Sequence, residues 1–253
     1  MNKLQPKTFF TGKKSFYLPT CHSTNESAAE IIQKYEILEG TIVITDNQTR
    51  GKGQRGNVWL AEPNKNLTFT LILKPSFMSV SGQFNLNIAV SLGLHMALKS
   101  YLNDGLKIKW PNDIFYGDKK LGGMLIESIV ANRRMNYSFV GIGLNINQTD
   151  FNLPNATSIS TIIQKRDLDL IEILEKVCEC IEEEYLKLKE GKTEYQKSNY
   201  IKSLYRYGEW RTYKDSDGIF EGKIKNIATS GKLIMETKLG LKQFETKEFE
   251  YIY

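Results

Sequence analysis

A chain of 253 residues, 41% hydrophobic and 25% charged, is long enough for one substantial core and a small second unit, with the composition of an ordinary globular protein. Its formal net charge of +5 suits an acidic partner or a phosphate-bearing ligand but falls short of a nucleic-acid-binding surface. An odd set of three cysteines (Cys21, Cys178, Cys180) with only two histidines (His22, His95) argues against a zinc site and for reduced thiols in a cytoplasmic setting, and no apolar run has the length of a signal peptide core or a membrane span.

The first element signal is Ser23-Thr24-Asn25-Glu26, a capping box in which Ser23 is the N-cap and Glu26 reaches back. Ala28, Ile31, Ile32 and Tyr35 mark one face of the helix that follows, and Gly40 is its expected end. Residues 41–46 and 67–73 read as strands. Helical spacing of Leu86, Ala89, Val90, Gly93, Leu94 and Ala97 predicts a helix over 84–101. Short strands are expected at 106–110, 114–116, 121–129 and 137–147, joined by brief turns. Such connections favour antiparallel pairing, so the region reads as a mixed sheet backed by helices, an α+β fold. Residues 151–163 read as a loop turning at Pro154-Asn155. From Asp167 a long amphipathic helix presents Ile171, Leu174, Cys178, Ile181, Tyr185 and Leu188 on one stripe, stops at Gly191, and is followed by helix over 193–204. Five short strands, at 210–213, 219–226, 233–236, 241–246 and 249–253, then describe a small β-barrel.

Between the first two expected strands lies TRGKGQRGNVW, residues 49–59. Its glycines let a backbone approach an anion closely, while Arg50, Lys52 and Arg55 supply charge. It lacks the Gly-Lys-Ser/Thr ending of a Walker loop, and no apolar helix follows it as in a dinucleotide fold. Three clusters accompany it: Ser23-Thr24-Asn25 at a helix start; Lys109-Trp110-Pro111-Asn112-Asp113 with Lys119-Lys120-Leu121-Gly122-Gly123-Met124; and Gly141-Ile142-Gly143-Leu144-Asn145-Ile146-Asn147. Read singly, each has an ordinary structural meaning as cap, turn or strand end.

In this order and spacing the four stretches closely resemble the catalytic domain of biotin protein ligases, relatives of the lipoate ligases, from about Tyr17 to Asn147. More weakly, the C-terminal strands resemble the SH3-like domain of the same family. The resemblance implies a catalytic domain over 1–205, with a mixed sheet like that of class II aminoacyl-tRNA synthetases, and an SH3-like β-barrel over 206–253. It also implies a two-step reaction. Biotin and MgATP give biotinyl-5′-AMP and pyrophosphate, and a lysine of a biotin carboxyl carrier domain then takes the biotinyl group. Two anions must meet in the first step, so cations are needed, and a closing loop keeps water from the mixed anhydride.

Carried over position by position, Ser23, Thr24, Asn25 and Gln48 match biotin contacts. Gly51, Lys52, Gly53 and Gln54 belong to the loop that wraps biotin and the adenylate, with Arg55 on the phosphate side and Trp59 near the adenine. Lys120 matches the lysine bridging the biotin carboxylate and the α-phosphate, and Gly123 lets the ligand lie against the backbone. Asn112 and Asn145 match nucleotide- and metal-side asparagines, with Mg²⁺ carried mainly by the ATP phosphates. Asp113 is a candidate to orient or deprotonate the incoming lysine, or to assist Mg²⁺. Lys120, Arg55 and Asp113 are thus the expected catalytic set. Arg211, Lys214 and Lys223 are further candidates for phosphate contact. The loop departs from the common family form GRGRRGRxW at Lys52 and Gln54; lysine keeps charge without the bidentate fork, and glutamine loses the charge. Only about twenty residues precede Ser23, too few for the helix-turn-helix domain of bifunctional relatives, so no DNA binding is expected; no membrane location is expected either, since no apolar run approaches a span. A monomer and a homodimer both fit. An octanoate or lipoate ligase on the same fold is the nearest rival, and a non-catalytic biotin sensor the next.

Overall fold

The computed structural model describes residues 4–253, without the side chain of Arg55, and contains two β-sheets with helices packed on the larger one. Strands β1 (Ser15–Cys21), β2 (Thr41–Gln48), β3 (Leu67–Leu73), β4 (Leu106–Lys109), β5 (Asp113–Tyr116), β6 (Lys119–Ala131) and β7 (Arg134–Leu144) form the first sheet in the order β1-β2-β3-β7-β6-β5-β4. β1 and β2 run parallel, and every other neighbouring pair in it is antiparallel. The sequence LTFTLIL of β3 is buried along its length. Phe69 and Leu71 enter the main core, whereas Thr70 on the opposite face enters a polar network.

Helix α2 (Gln83–Lys99) is apolar on nearly all sides because the sheet and α4 (Leu170–Lys189) both cover it. A Cβ at Gly93 would lie 2.6 Å from the Ile181 Cα, so this glycine sets how closely the two helices cross. On α4 the expected stripe is buried from Leu174 to Leu188. The helix starts later than expected, at Leu170, where the Asp169 carboxylate accepts the Ile171 and Glu172 N–H groups at 2.8 and 3.2 Å. The buried Glu182 carboxylate of α4 accepts the backbone N–H groups of Phe9, Phe10 and Thr11 at 2.5, 2.9 and 2.8 Å, which fastens the N-terminal segment. Helix α5 (Thr193–Lys202) completes this layer.

Several expectations need correction. Helix α1 (Thr24–Lys34) ends at an extended Tyr35 rather than near Gly40, because Ile37 turns inward to the small cluster of Val43, Ile72 and Phe139. Ser23 is its N-cap by position but makes no side-chain cap. The first helical N–H, of Thr24, instead donates to Gln48 Oε1 at 2.8 Å. Strand β1 carries no strong sequence signal, since it is an edge strand whose positions are exposed or half-buried. The stretch 151–163 contains a short helix, α3 (Ile159–Ile163), capped by Ser158.

The second sheet is antiparallel: β8 (Trp210–Asp215), β9 (Gly218–Ile227), β10 (Leu233–Thr237), β11 (Gly240–Phe244) and β12 (Phe249–Tyr251), in the order β11-β10-β9-β8-β12. It is seated firmly on the first. Trp110 Nε1 donates to the carbonyl of Gly231, in the β9–β10 turn, at 3.0 Å, and Phe249 stacks on Trp110 at 6.1 Å.

His95 on α2 is buried, with Nε2 3.2 Å from the Leu106 carbonyl. Burial lowers its pKa to about 4, against the raising effect of that carbonyl. The unfolded chain, with a histidine near 6.5, therefore binds more protons than the native chain between about pH 4 and 6.5, and stability falls as acid is added through that window. His95→Gln is expected to remove about 2–3 kcal/mol of this acid sensitivity. Urea unfolding at pH 4.5 and pH 7 checks it; an equal pH dependence in both proteins would refute the assignment.

Candidate active site

One transverse row of the large sheet carries a residue from five strands. Thr68 of β3 lies opposite Gly143 of β7, Gly143 opposite Gly123 of β6, Gly123 opposite Asp113 of β5, and Asp113 opposite Lys109 of β4. In-register neighbours share a face with Cβ atoms about 5 Å apart. The two central positions have no side chain, so the row is a trough with polar walls. Over it opens a cleft of about 470 Å³, within the roughly 300–1,000 Å³ of small-molecule sites.

One wall is the start of α1. Thr24 and Asn25 are buried and joined to β3, for the Thr70 hydroxyl donates to Asn25 Oδ1 at 2.6 Å and lies 2.8 Å from Thr24 Oγ1. Asn25 Nδ2 donates to Glu127 Oε2 at 2.7 Å. A Cβ at Gly141 would lie 2.6 Å from Asn25 Oδ1, which accounts for the first glycine of Gly141-Ile142-Gly143. The second makes room for Trp59: a Cβ at Gly143 would sit 2.3 Å from its indole ring. Ser23, Gln48 and Met124 join this part of the cleft lining.

The glycine loop forms the roof. Lys52, Gly53, Gln54 and Trp59 line the cleft. Lys52 Nζ pairs with Glu26 Oε1 at 2.5 Å, both side chains about half exposed, and this carboxylate raises the lysine pKa. Glu26 thus serves the loop rather than a capping box. Gly51 stands outside the lining. It packs beneath Trp59, whose N–H donates to the Gly51 carbonyl at 2.9 Å. The Trp59 indole N–H is buried without a protein partner, while the Lys120 ammonium faces its ring at 5.8 Å. The expectation for Arg55 concerns a side chain outside the described residues.

At the trough's far side Lys120 Nζ pairs with Asp113 Oδ1 at 2.7 Å, both part-exposed. A Cβ at Gly123 would press within 2.7 Å of that oxygen. Lys120 itself is tied by its backbone, its N–H donating to Asn155 at 2.7 Å and its carbonyl accepting from Thr157 at 2.9 Å. Asn112 is buried in the lining and donates to the Met124 carbonyl. Asn145 lies outside the lining, where Nδ2 donates to Thr157 O at 3.0 Å and the buried Oδ1 has no protein partner. Arg211, Lys214 and Lys223 are also outside it; Arg211 pairs with Glu209 at 2.7 Å. The C-terminal sheet reaches the cleft through Thr246, Phe249 and Tyr251 instead. Sequence reasoning assigned no role to Thr68, Thr70, Glu127 or Lys109. The alternation in LTFTLIL was the available signal for the threonines. Lys109 is half-buried, and desolvation lowers its pKa to about 8, against the raising effect of Asp113. Among the described residues no group of three or more His, Cys, Asp or Glu side chains could hold a metal.

The family described as Biotin/lipoate A/B protein ligase matches residues 17–145, the span that builds this trough. The chain belongs to that family. Among its relatives, the bifunctional ligase/repressor BirA of Bacillus spizizenii is 27% identical over 96% of this chain and 76% of that protein. The biotin–protein ligase of Homo sapiens is 35% identical over 44% of this chain and 16% of its own length. The biotin protein ligase of Aquifex aeolicus, solved in complex with biotin and ATP, aligns with a TM-score of 0.76 and 28% identity over 94% of this chain and 98% of that one. The chain is accordingly a ligase, with the biotin-ligase fold and an SH3-like C-terminal sheet. No helix among the described residues is long and apolar enough to cross a membrane.

Gly143→Ala tests the trough. The added methyl must displace the indole, so a loss of about 1–3 kcal/mol is expected, as for other overpacked sites, with a changed tryptophan emission. An unaltered spectrum and unfolding midpoint would show that Trp59 does not rest on β7.

Proposed function

We propose that this ligase activates biotin with ATP and transfers it to a lysine of a biotin carboxyl carrier domain. The observation that carries this reading is the convergence of the α1 start, the glycine loop and the Lys120–Asp113 pair on one cleft. The Aquifex relative's complex with biotin and ATP supports it.

In the first step an oxygen of the biotin carboxylate attacks the α-phosphorus, the bond to the β-phosphate oxygen breaks, and pyrophosphate leaves. Lys120 neutralises the two approaching anions. It is available for this because a part-exposed ion pair such as Lys120–Asp113 is weak and exchanges partners at little cost. Lys52 exchanges Glu26 for ligand oxygens in the same way, and Arg55 joins it on the phosphate side. The Thr24–Asn25–Thr70–Gln48 network supplies fixed donors and acceptors for the polar end of biotin, and Trp59 on Gly143 offers an aromatic face to the adenine. Asn112, in the cleft lining, is assigned to the nucleotide side, whereas Asn145, buried outside the lining, is assigned there by the family resemblance alone. Magnesium would be held mainly by the ATP phosphates, with Asp113 as the carboxylate that could assist it. In the second step the carrier lysine, relieved of a proton toward Asp113, attacks the acyl carbon, and AMP leaves with the electron pair of the broken C–O bond. We place the boundary between catalytic and SH3-like domains at 205/206, and the free cysteines support a reducing, cytoplasmic setting.

Pyrophosphate release should require biotin together with MgATP, and a carrier domain should gain the mass of one biotin. Lys120→Ala is expected to slow release by about 10²–10³-fold. Release driven by lipoate or octanoate in place of biotin would point to the related ligases, and ligand binding without release to a sensor.

Gln54 lines the cleft as a neutral side chain. Gln54→Arg, which adds a charge-assisted donor, is expected to slow biotinyl-AMP dissociation about tenfold. An unchanged dissociation rate in a filter-retention assay would count against a role for Gln54 in holding the adenylate.

A further inference from the structure

Lys109 sits directly opposite Asp113 on the β4–β5 hairpin, the position from which a lysine and an aspartate of one sheet face ordinarily pair. They do not pair: Asp113 is bonded to Lys120 at 2.7 Å. The Lys109 ammonium instead donates to the Tyr253 hydroxyl at 2.7 Å. It faces the rings of Tyr251, Phe115 and Tyr253 at 4.4, 4.7 and 5.3 Å, within cation–π range. Two walls of this box come from the C-terminal segment.

The box has its own support. Arg206 faces the Tyr253 and Tyr251 rings at 5.2 and 5.9 Å, and its Nη1 donates to the Ile252 carbonyl at 2.9 Å. The tyrosines are thus held between two cations, one of which belongs to the cleft lining. A free lysine at 109 would compete with Lys120 for Asp113, since the two ammonium groups have the same chemistry and Asp113 is within reach of both strands.

We propose that Tyr251 and Tyr253 are positioning residues for the ligase reaction: by boxing the Lys109 ammonium they keep it off Asp113 and reserve that carboxylate for Lys120. The inference rests on the assignment of Lys120 and Asp113 above, and it makes the SH3-like sheet part of the reaction centre through charge rather than through ligand contact.

The test uses the full chain with Tyr253→Ala, chosen because Tyr253 is 56% exposed whereas Tyr251 is part of the aromatic core. In a crystal structure of this variant Lys109 Nζ is expected within about 4 Å of Asp113, the limit for an ion pair. The kcat of biotin transfer to a carrier domain should fall about ten- to a hundredfold, because Lys109 would then hold the carboxylate that takes the carrier lysine's proton, with little change in KM for ATP. Adding Lys109→Met to Tyr253→Ala should restore kcat to that of Lys109→Met alone, because the competing cation is gone. A double variant slower than Lys109→Met by the full Tyr253→Ala factor, a rise in KM alone, or a Tyr253→Ala protein with Lys109 away from Asp113 would each overturn the proposal. Absence of biotin-dependent release from the unaltered protein would instead refute the proposed function, and the crystallographic arm would still decide which lysine Asp113 takes.

Discussion

The register of the large sheet governs the site. Antiparallel pairing brings Thr68, Gly143, Gly123, Asp113 and Lys109 to one level on one face, and the two missing side chains in the middle turn a pleated surface into a trough. A methyl at either glycine would meet an indole ring or the Asp113 carboxylate within 3 Å. A one-residue slip in any of these pairings would send its residue to the opposite face. The apolar alternation of β3 resists such a slip, since it would exchange Phe69 and Leu71 for threonines in the core.

The electrostatics follow from that geometry. Cations are brought to a cleft suited to anions, and three of them have modest partners: Glu26 for Lys52, Asp113 for Lys120, aromatic rings and a phenol for Lys109. Part-exposed pairs of this kind add little stability. Their use lies in keeping the chain ordered while leaving the ammonium groups free to change partner. The polar network at the α1 start is different in kind. It links the buried Thr24, Asn25 and Thr70 to the half-buried Gln48 and the exposed Glu127, and its fixed donors and acceptors suit the neutral end of a ligand.

Much of the framework was legible from the chain alone. Strongly periodic segments such as β3, α2 and α4 came out in the expected type and nearly the expected place, because their burial is written in apolar spacing. Weakly buried segments did not. β1 is an edge strand of exposed and half-buried residues, and α3 is a single capped turn inside a polar stretch. The Ser23–Glu26 motif carried a helix start correctly but hid its own chemistry, since Gln48 caps the helix from another strand and Glu26 turns to the loop.

The amino-acid order by itself determined which residue types are available and how they are spaced: a glycine-rich basic loop, an Asn-Asp pair after a strand, two glycine pairs, an alternating strand. Those are local properties, set by backbone freedom and by apolar period. Only the tertiary structure decided which of them meet. Asn25 lies next to Gly141 through the docking of a helix more than a hundred residues before it, and Lys109 is kept from its opposite neighbour by Tyr251 and Tyr253, more than a hundred residues after it. Contacts of that range depend on how the sheets and helices close on one another, and spacing along the chain does not carry that information.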